Sequence, residues 1–522
     1  MPHKHDKLLE TKADISGSAY AGRDGQVRKR EAAPFAQYRQ QLSEAQGERL
    51  DAFFAGFMRH CALAPAERAL LREDFEAALL YFRDAGVPLD EALRRLSVDH
   101  MGGFYVRPPS AWFTLDDAAK VYPLSMKRGQ MAVFRLSAYM AEPVVPELLQ
   151  MALTFMIKRF PSFATTVKKG FFWHYLDAAK RRYAIETETD IPCRPLHIAR
   201  SGSQAFRVLY HRNRISVEYF HILTDGTGGM LFLKTLVAEY LRLKGVAYAG
   251  KDDIGAAPAL AEVANEFGRA EGEGESGGGF MDRAATQMSG RLSRIKPCQV
   301  LHFKMNAASL KEAAKSRGVT VTAYVLSRMF LAGKAATDEM EGTIRIQVPV
   351  NLRKFYPSQT VRNFSMYCGI GLRIPEIADG PALQEAISAQ LAERTSKAAM
   401  SGMMRATRRM VGLLRYIPLA VKTPVAKAVY GFLGDRIFSN TLSNLGIVRM
   451  PPELAAHIES LDFVLGTAVT NRANCAMVTF GNIATLSITK MTADPTFEEE
   501  MYRLLLGDGI ELTVEGSPLY DR

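Results

Sequence analysis

Cysteine is scarce in this chain. Cys61, Cys193, Cys298, Cys368 and Cys475 are all there are in 522 residues, and no two share CxxC or metal-ligand spacing. That excludes a disulfide framework and a cysteine zinc site, and an odd, scattered set fits a reducing compartment. Long apolar runs are missing too. No uncharged stretch reaches the roughly 18 residues a spanning helix needs, and the N-terminal MPHKHDKLLETKADISGSAYAGRDGQ has no apolar segment of the secretory kind. The expectation is a cytoplasmic protein, with contact to a membrane surface left open. There is no GxSxG elbow, and no cysteine lies in a nucleophile motif. The basic residues are not interleaved with aromatics in any recognisable module, which argues against nucleic acid. No short internal repeat is found.

What is present is ordinary globular material: 48% hydrophobic and 23% charged residues, with a formal net charge of +11. At about 150 residues per domain, the length suggests about three domains, or two large ones and an appendage. The positive excess suits an anionic ligand or surface.

Along the chain, residues 1–32 are polar, mixed in charge and expected to be disordered. Residues 33–118 read as a helical appendage, because Leu50, Phe53, Phe54, Phe57 and Met58 recur at helical spacing. From 119 to 267 strands and helices alternate. Strands are expected at 131–140, 192–200 and 204–220, the last turning as a hairpin at residues 211–214, and helices at 144–160 and 227–244. The Gly/Glu-rich GRAEGEGESGGGF (268–280) reads as a flexible linker, taken as 268–296. A second half, 297–522, opens with the strand QVLHFKM. Helices follow near 307–317, 320–336, 382–434 and 496–507. Strands are expected at 343–353, 365–374, 438–444, 475–481 and 483–489, and over the final IELTVE.

The chemistry concentrates in RISVEYFHILTDGTGGMLFLKTLVAEYLRL. Ile215, Val217 and Tyr219 alternate with Ser216, Glu218 and Phe220, as in a strand with two unlike faces. The strand runs into His221, then Asp225-Gly226, and a helix follows. A histidine at a strand-to-helix crossover is a natural general base, since its ordinary pKa lies near working pH. Asp225 could hold the loop by pairing with a cation, and Gly226 permits a turn that a Cβ would obstruct. The pattern is short: a chain with 10 histidines contains HxxxDG by chance about 4% of the time, and a histidine at a strand end is commonly a hydrogen-bonded structural residue. The strand IRIQVPVNLRKF delivers Arg353 at its end. It is either a buried partner for Asp225, since an unpaired buried charge is very costly, or a solvated terminus. FSNTLSNLGIV presents Ser443 and Asn444 as oxyanion or substrate candidates, or forms an ordinary turn. The stretch 403–436 carries Arg405, Arg408, Arg409, Arg415, Lys422, Lys427 and Arg436 against one acid, Asp435. It fits a carrier's phosphates, an anionic membrane, or a solvated helix face over core.

Together, HILTDG (221–226), PVNLR (349–353) and SNLG (443–446) resemble the HxxxDG acyltransferase superfamily, which includes chloramphenicol acetyltransferase, condensation domains, wax ester synthases, polyketide-associated acyltransferases and alcohol acetyltransferases. The look is closest to the bacterial alcohol acetyltransferase-like and polyketide-associated members, over residues 119–522. Phe220 precedes His221 where condensation domains usually have a second histidine, and the plant-type DFGWG motif is absent. The resemblance implies an α+β fold of two chloramphenicol acetyltransferase-like subdomains, each a mixed sheet with helices, and a tunnel between them. It implies direct attack by an acceptor hydroxyl on an acyl thioester, with His221 as base and Asp225 structural through Arg353. It implies acyl-CoA as co-substrate and no permanently bound cofactor or metal. A carrier-protein donor, or a non-catalytic relative of the fold, is the alternative.

Overall fold

The computed structural model describes residues 34–61, 63–97, 112–120, 122–125, 131–178, 181–189, 191–196, 204–248, 254, 260–269, 284–433, 435–467 and 470–520. The expected disordered segment 1–32 and most of the Gly/Glu-rich stretch lie outside them.

The N-terminal segment forms α1 over 34–41, α2 (Glu44–His60), α3 (Pro65–Asp84) and α4 (Leu89–Arg95). Ser43 and Gln46 close a reciprocal capping box on α2, satisfying donors that a helix start leaves unpaired. Leu71, Phe75, Ala78, Leu79 and Phe82 form the buried stripe of α3. Phe75 meets Phe155 edge-on at 6.1 Å, and Arg182 grips Asp74 through two nitrogens at 2.5 and 2.6 Å. The helices therefore share one continuous core with the residues that follow.

Next come β1 (Trp112–Thr114), the short α5 (Tyr122–Ser125), β2 (Val133–Met140), α6 (Pro146–Met156), β3 (Thr165–Lys169), β4 (His174–Ala178), β5 (Ile185–Thr187), β6 (Phe206–His211), β7 (Arg214–Phe220) and α7 (Gly226–Lys244). The second half contributes β8 (Gln299–Asn306), α8 (Ala307–Ser316), α9 (Val321–Ala335), β9 (Thr343–Asn351), β10 (Ser365–Arg373), α10 (Pro381–Arg394), α11 (Lys397–Leu414) and α12 (Leu419–Leu433). It ends with β11 (Asn440–Val448), α13 (Pro452–Ala455), β12 (Ile458–Leu465), β13 (Ala473–Phe480), β14 (Ile483–Lys490), α14 (Thr496–Gly507) and β15 (Leu512–Gly516).

Two large mixed sheets organise the α+β fold. The first runs β12-β2-β7-β6-β5, the second β10-β9-β11-β13-β14-β8-β15, and a small sheet β1-β4-β3 stands apart. β12 comes from the C-terminal half yet pairs antiparallel with β2 as the edge of the first sheet. The hairpin at 204–220 forms with Arg212 at φ 51° in its turn.

Sequence expectations need correction at two places and a refinement at a third. Residues 191–196 form turns, not a strand. Pro192 and Pro195 remove backbone donors there, and Cys193 sits at φ 59°. The two unlike faces expected of β7 are both buried, since its residues from Ile215 to Phe220 are all buried. Its polar members are satisfied internally instead: Ser216 bonds Ser137 at 3.0 Å, and Glu218 accepts from Arg135 and Arg207. Last, the 343–353 strand stops at Asn351, and Arg353 lies on a one-turn 3-10 helix, Leu352–Lys354.

Candidate active site

β7 carries the chain to His221, whose backbone N–H donates to the Ala132 carbonyl at 2.8 Å and extends the β2 pairing by one residue. A tight turn follows, and Asp225 then caps α7. Its Oδ1 accepts from the N–H groups of Thr227 (3.1 Å) and Gly228 (3.0 Å), as an N-cap aspartate does. Its Oδ2 turns to the second half of the chain and accepts from Arg353 Nη1 and from the Phe364 N–H, both at 2.7 Å. Arg353 in turn donates to the carbonyls of Thr360 (3.2 and 2.7 Å) and Arg362 (2.9 Å). Asp225 is 3% exposed and the Arg353 side chain 11%, so the pair is buried and Arg353 is no solvated terminus. With four hydrogen bonds, the carboxylate fixes the loop and makes none to His221.

The loop is also clamped from the β9–β10 connection. Thr224 Oγ1 donates to the Val361 carbonyl at 2.6 Å, and Asn363 Nδ2 donates to the His221 carbonyl at 3.2 Å. Gly228 explains the closeness of this crossing: a Cβ there would stand 2.0 Å from the Val361 oxygen and 2.3 Å from Thr224 Oγ1. Gly226 has a different role from the expected turn. Its φ is ordinary, and a Cβ would meet the Leu445 side chain at 2.5 Å.

The His221 ring is half-buried. It stacks on Tyr122, with centroids 5.0 Å apart and planes at 23°, and meets Phe134 edge-on at 5.3 Å. Nδ1 is buried and has no partner of full hydrogen-bond geometry. Burial pulls the imidazole below its usual pKa, and the Asp225 charge and the residue's own backbone carbonyl oppose that pull without cancelling it. The ring is therefore neutral at pH 7, and a proton held on Nδ1 leaves Nε2 as the basic atom. Burial raises the Tyr122 hydroxyl far above its ordinary value against a hydrogen bond from Asn363, so it stays protonated.

Ser443 and Asn444 lie on β11, beside the motif through the Leu445–Gly226 contact. Ser443 is 8% exposed. Asn444 is engaged within its own half: its Nδ2 donates to Thr322 Oγ1 at 3.1 Å, and its Oδ1 accepts from the Gly446 N–H at 2.8 Å. This is a β-bulge, with the register slipping between Asn444 and Ile447 and Gly446 at φ 74°, a conformation that favours glycine. The structure thus joins His221, Asp225, Gly226 and Arg353 in one unit and sets SNLG against it as a bulge.

Sequence reasoning missed Tyr122, Phe134, Asn363 and Arg362. Tyr122 and Phe134 flank the imidazole from segments with no motif, and Asn363 lies ten residues past Arg353 in a connection without periodicity. Arg362 donates to the Thr114 carbonyl and faces Asp116 at 3.3 Å. Burial raises that carboxyl to about 7, with Arg362 opposing. Among the described residues no group of three His, Cys, Asp or Glu side chains could hold a metal ion.

No family model and no curated protein matches this sequence. Solved structures do. TRI101 of F. sporotrichioides, complexed with coenzyme A and T-2, superposes with a TM-score of 0.55 at 11% identity, covering 78% of this chain and 100% of that one. TRI101 of F. graminearum, with coenzyme A and T-2 mycotoxin, gives 0.53 at 11% identity over 77% and 100%. The starter condensation domain of rhizomide synthetase RzmA, with C8-CoA and Leu-SNAC, gives 0.50 at 10% identity over 76% and 94%. At these identities the likeness is one of fold: the chain has the two-lobed architecture shared by chloramphenicol acetyltransferase-like proteins and condensation domains.

Proposed function

We propose that the protein is an O-acyltransferase that moves an acyl group from coenzyme A to an acceptor hydroxyl, with His221 as general base. One observation carries the reading: the loop 221–226 holds a neutral imidazole where the two halves of the chain meet, with its inner nitrogen enclosed and its Asp225 committed to Arg353. Nε2 would accept the hydroxyl proton as the oxygen attacks the thioester carbonyl. The tetrahedral oxyanion would then collapse, breaking the carbon–sulfur bond, and the thiolate would leave with the proton from the imidazolium. No covalent acyl-enzyme is needed. Ser443 and the backbone N–H groups of the SNLG bulge are the candidates to face the oxyanion. Asn444 is a weaker one, because its amide already donates to Thr322.

Support for coenzyme A comes from the neighbours of like fold that were crystallised with it, and from the net charge of +11. A second reading is donation from a carrier-protein thioester. The test is thiol release and product mass with a panel of acyl-CoAs and alcohols. His221→Ala should lose roughly a hundred- to ten-thousand-fold in rate while keeping its melting temperature. Full turnover in that variant would remove the assignment. Thiol release only from an acylated carrier protein would establish the second reading.

A further inference from the structure

The first turns of helix α12 are built the wrong way round for water. Among its described side chains, residues 419–426, the exposed positions are Ala420, Val421, Pro424 and Val425, whereas Lys422 points inward and is only 3% exposed. The Lys422 ammonium lies 3.2 Å from the centroid of the Trp173 ring and donates to the Leu414 carbonyl at 3.2 Å. Burial and the neighbouring Lys120 lower its pKa to about 8. A surface helix ordinarily turns its lysines out and its valines in. Here the reversed helix does not stand alone. The Leu419 N–H donates to the Phe171 carbonyl at 2.8 Å, tying α12 to the tip of the β3–β4 hairpin. At this corner Phe171 is 72% exposed, Leu413 73%, Tyr416 74%, Val421 58% and Val425 60%, with Phe172 at 38%. Large apolar side chains clustered at such exposure mark an interaction surface.

The surroundings are cationic. Lys169, Arg408, Arg409 and Arg415 are exposed around the cluster, with Asp117 3.9 Å from Arg408, and the sequence has no Asp or Glu between Glu393 and Asp435. We propose that this corner, formed by the Phe171–Phe172 hairpin tip, the α11–α12 turn and the outer face of α12, docks on a lipid surface bearing anionic headgroups. The apolar side chains are exposed on a hairpin tip, a helix–helix turn and a helix face. A folded partner would need a matching concavity, whereas a bilayer interface takes up projecting Phe, Tyr, Leu and Val directly, and a basic rim pairs with anionic lipid. Trp173 and Tyr416 are the amphipathic aromatics that settle at headgroup depth. Among the described residues no helix is long and apolar enough to cross a membrane, so the contact is peripheral. This inference does not rest on the acyl-transfer reading.

The test is co-sedimentation of the full chain with phosphatidylcholine vesicles, with and without about one-third phosphatidylserine, at roughly physiological salt. The protein should pellet with the anionic vesicles and be released by high salt. The triple variant Phe171→Ser/Tyr416→Ser/Val421→Ser should bind at least about ten-fold more weakly. Arg408→Gln/Arg409→Gln/Arg415→Gln should lose about five-fold per arginine. Both should keep the parent melting temperature. Met340→Ser, at an exposed apolar residue outside the cluster, should bind like the parent. Failure of the parent to bind anionic vesicles would overturn the proposal. So would equal binding by the folded triple variants, or capture of an acidic carrier protein without vesicle binding.

Discussion

Replacing Asp225 by Asn tests the site most sharply, because the two oxygens of this carboxylate do different work. Oδ1 accepts from the Thr227 and Gly228 N–H groups, and an asparagine carbonyl can keep both. Oδ2 accepts from Arg353 Nη1 and the Phe364 N–H, and an amide NH2 placed there would face two donors with a third. Breaking a buried pair from one side costs about 3–5 kcal/mol, so Asp225→Asn should lower the unfolding free energy by that much, read as a lower urea midpoint at unchanged slope. Arg353→Ala also loses its bonds to the Thr360 and Arg362 carbonyls, and should cost a similar amount. In the double variant the mismatch is gone, so the combined loss should fall short of the sum by about 1–3 kcal/mol. Activity offers an independent check. The Asp225 charge works to raise the His221 pKa against burial. Removing it should move the acid limb of kcat/KM to lower pH, whereas the limb would stay put if the carboxylate only held the loop. Additive stability losses, or an acid limb that stays put, would refute the reasoning.

Tyr122→Ala should move the same limb the other way, towards pH 6.5, because the stacked ring contributes to the burial that lowers the imidazole pKa. An unchanged profile would mean that Tyr122 does not shield His221. Gly228→Ala would press a Cβ on the Val361 carbonyl and Thr224 at the 2.0 and 2.3 Å approaches, and should cost about 3 kcal/mol or more by chemical denaturation. Gly226→Ala meets only the movable Leu445 side chain and should cost about 1 kcal/mol or less; equal costs would refute the contrast. His174 is 8% exposed, and burial, helped by Lys169 and Lys422, lowers its pKa from 6.5 to about 4. Its folded pKa is depressed, so its contribution is present above pH 6.5 and lost as pH falls towards 4, by about 3 kcal/mol. Urea midpoints at those two pH values should show the loss, and His174→Leu should flatten it.

The sequence made the local elements legible wherever period and boundary signals agreed. α14 coincides with the expected 496–507 because Asp494 bonds the Thr496 N–H at its start and a buried apolar stripe follows. The motif pieces were legible because each is short and sits at an element end. What was not legible depends on partners distant in sequence. β12 reads IESLDFVL, and nothing local says that it leaves its own half to pair with β2. Its Asp462 is acceptable inside because side chains distant in sequence attend it: Tyr139 of β2 donates to it at 2.9 Å, and His302 of β8 lies 3.8 Å away. The small sheet was missed because the β3–β4 hairpin turns through GFFW, which lacks the usual Asn-Gly signal. Tyr122 reaches the imidazole, and Asn363 the His221 carbonyl, only through tertiary packing.

The two halves hold each other reciprocally, and this bears on how the proposed base, His221, is positioned. β12 crosses from the second half to complete the first sheet. In return, the connection after β9 supplies Arg353, Val361, Asn363 and the Phe364 N–H to a loop of the first half. The same connection is anchored on the far side, where the Val361 N–H donates to the Glu262 carbonyl at 2.9 Å and Glu262 is itself ion-paired with the buried Arg159. His221 therefore hangs between clamps that belong to different halves. A base placed this way keeps its geometry only while the halves keep theirs. Substitutions along 353–364 should thus alter turnover without touching either substrate, through the position of the imidazole and not through its chemistry.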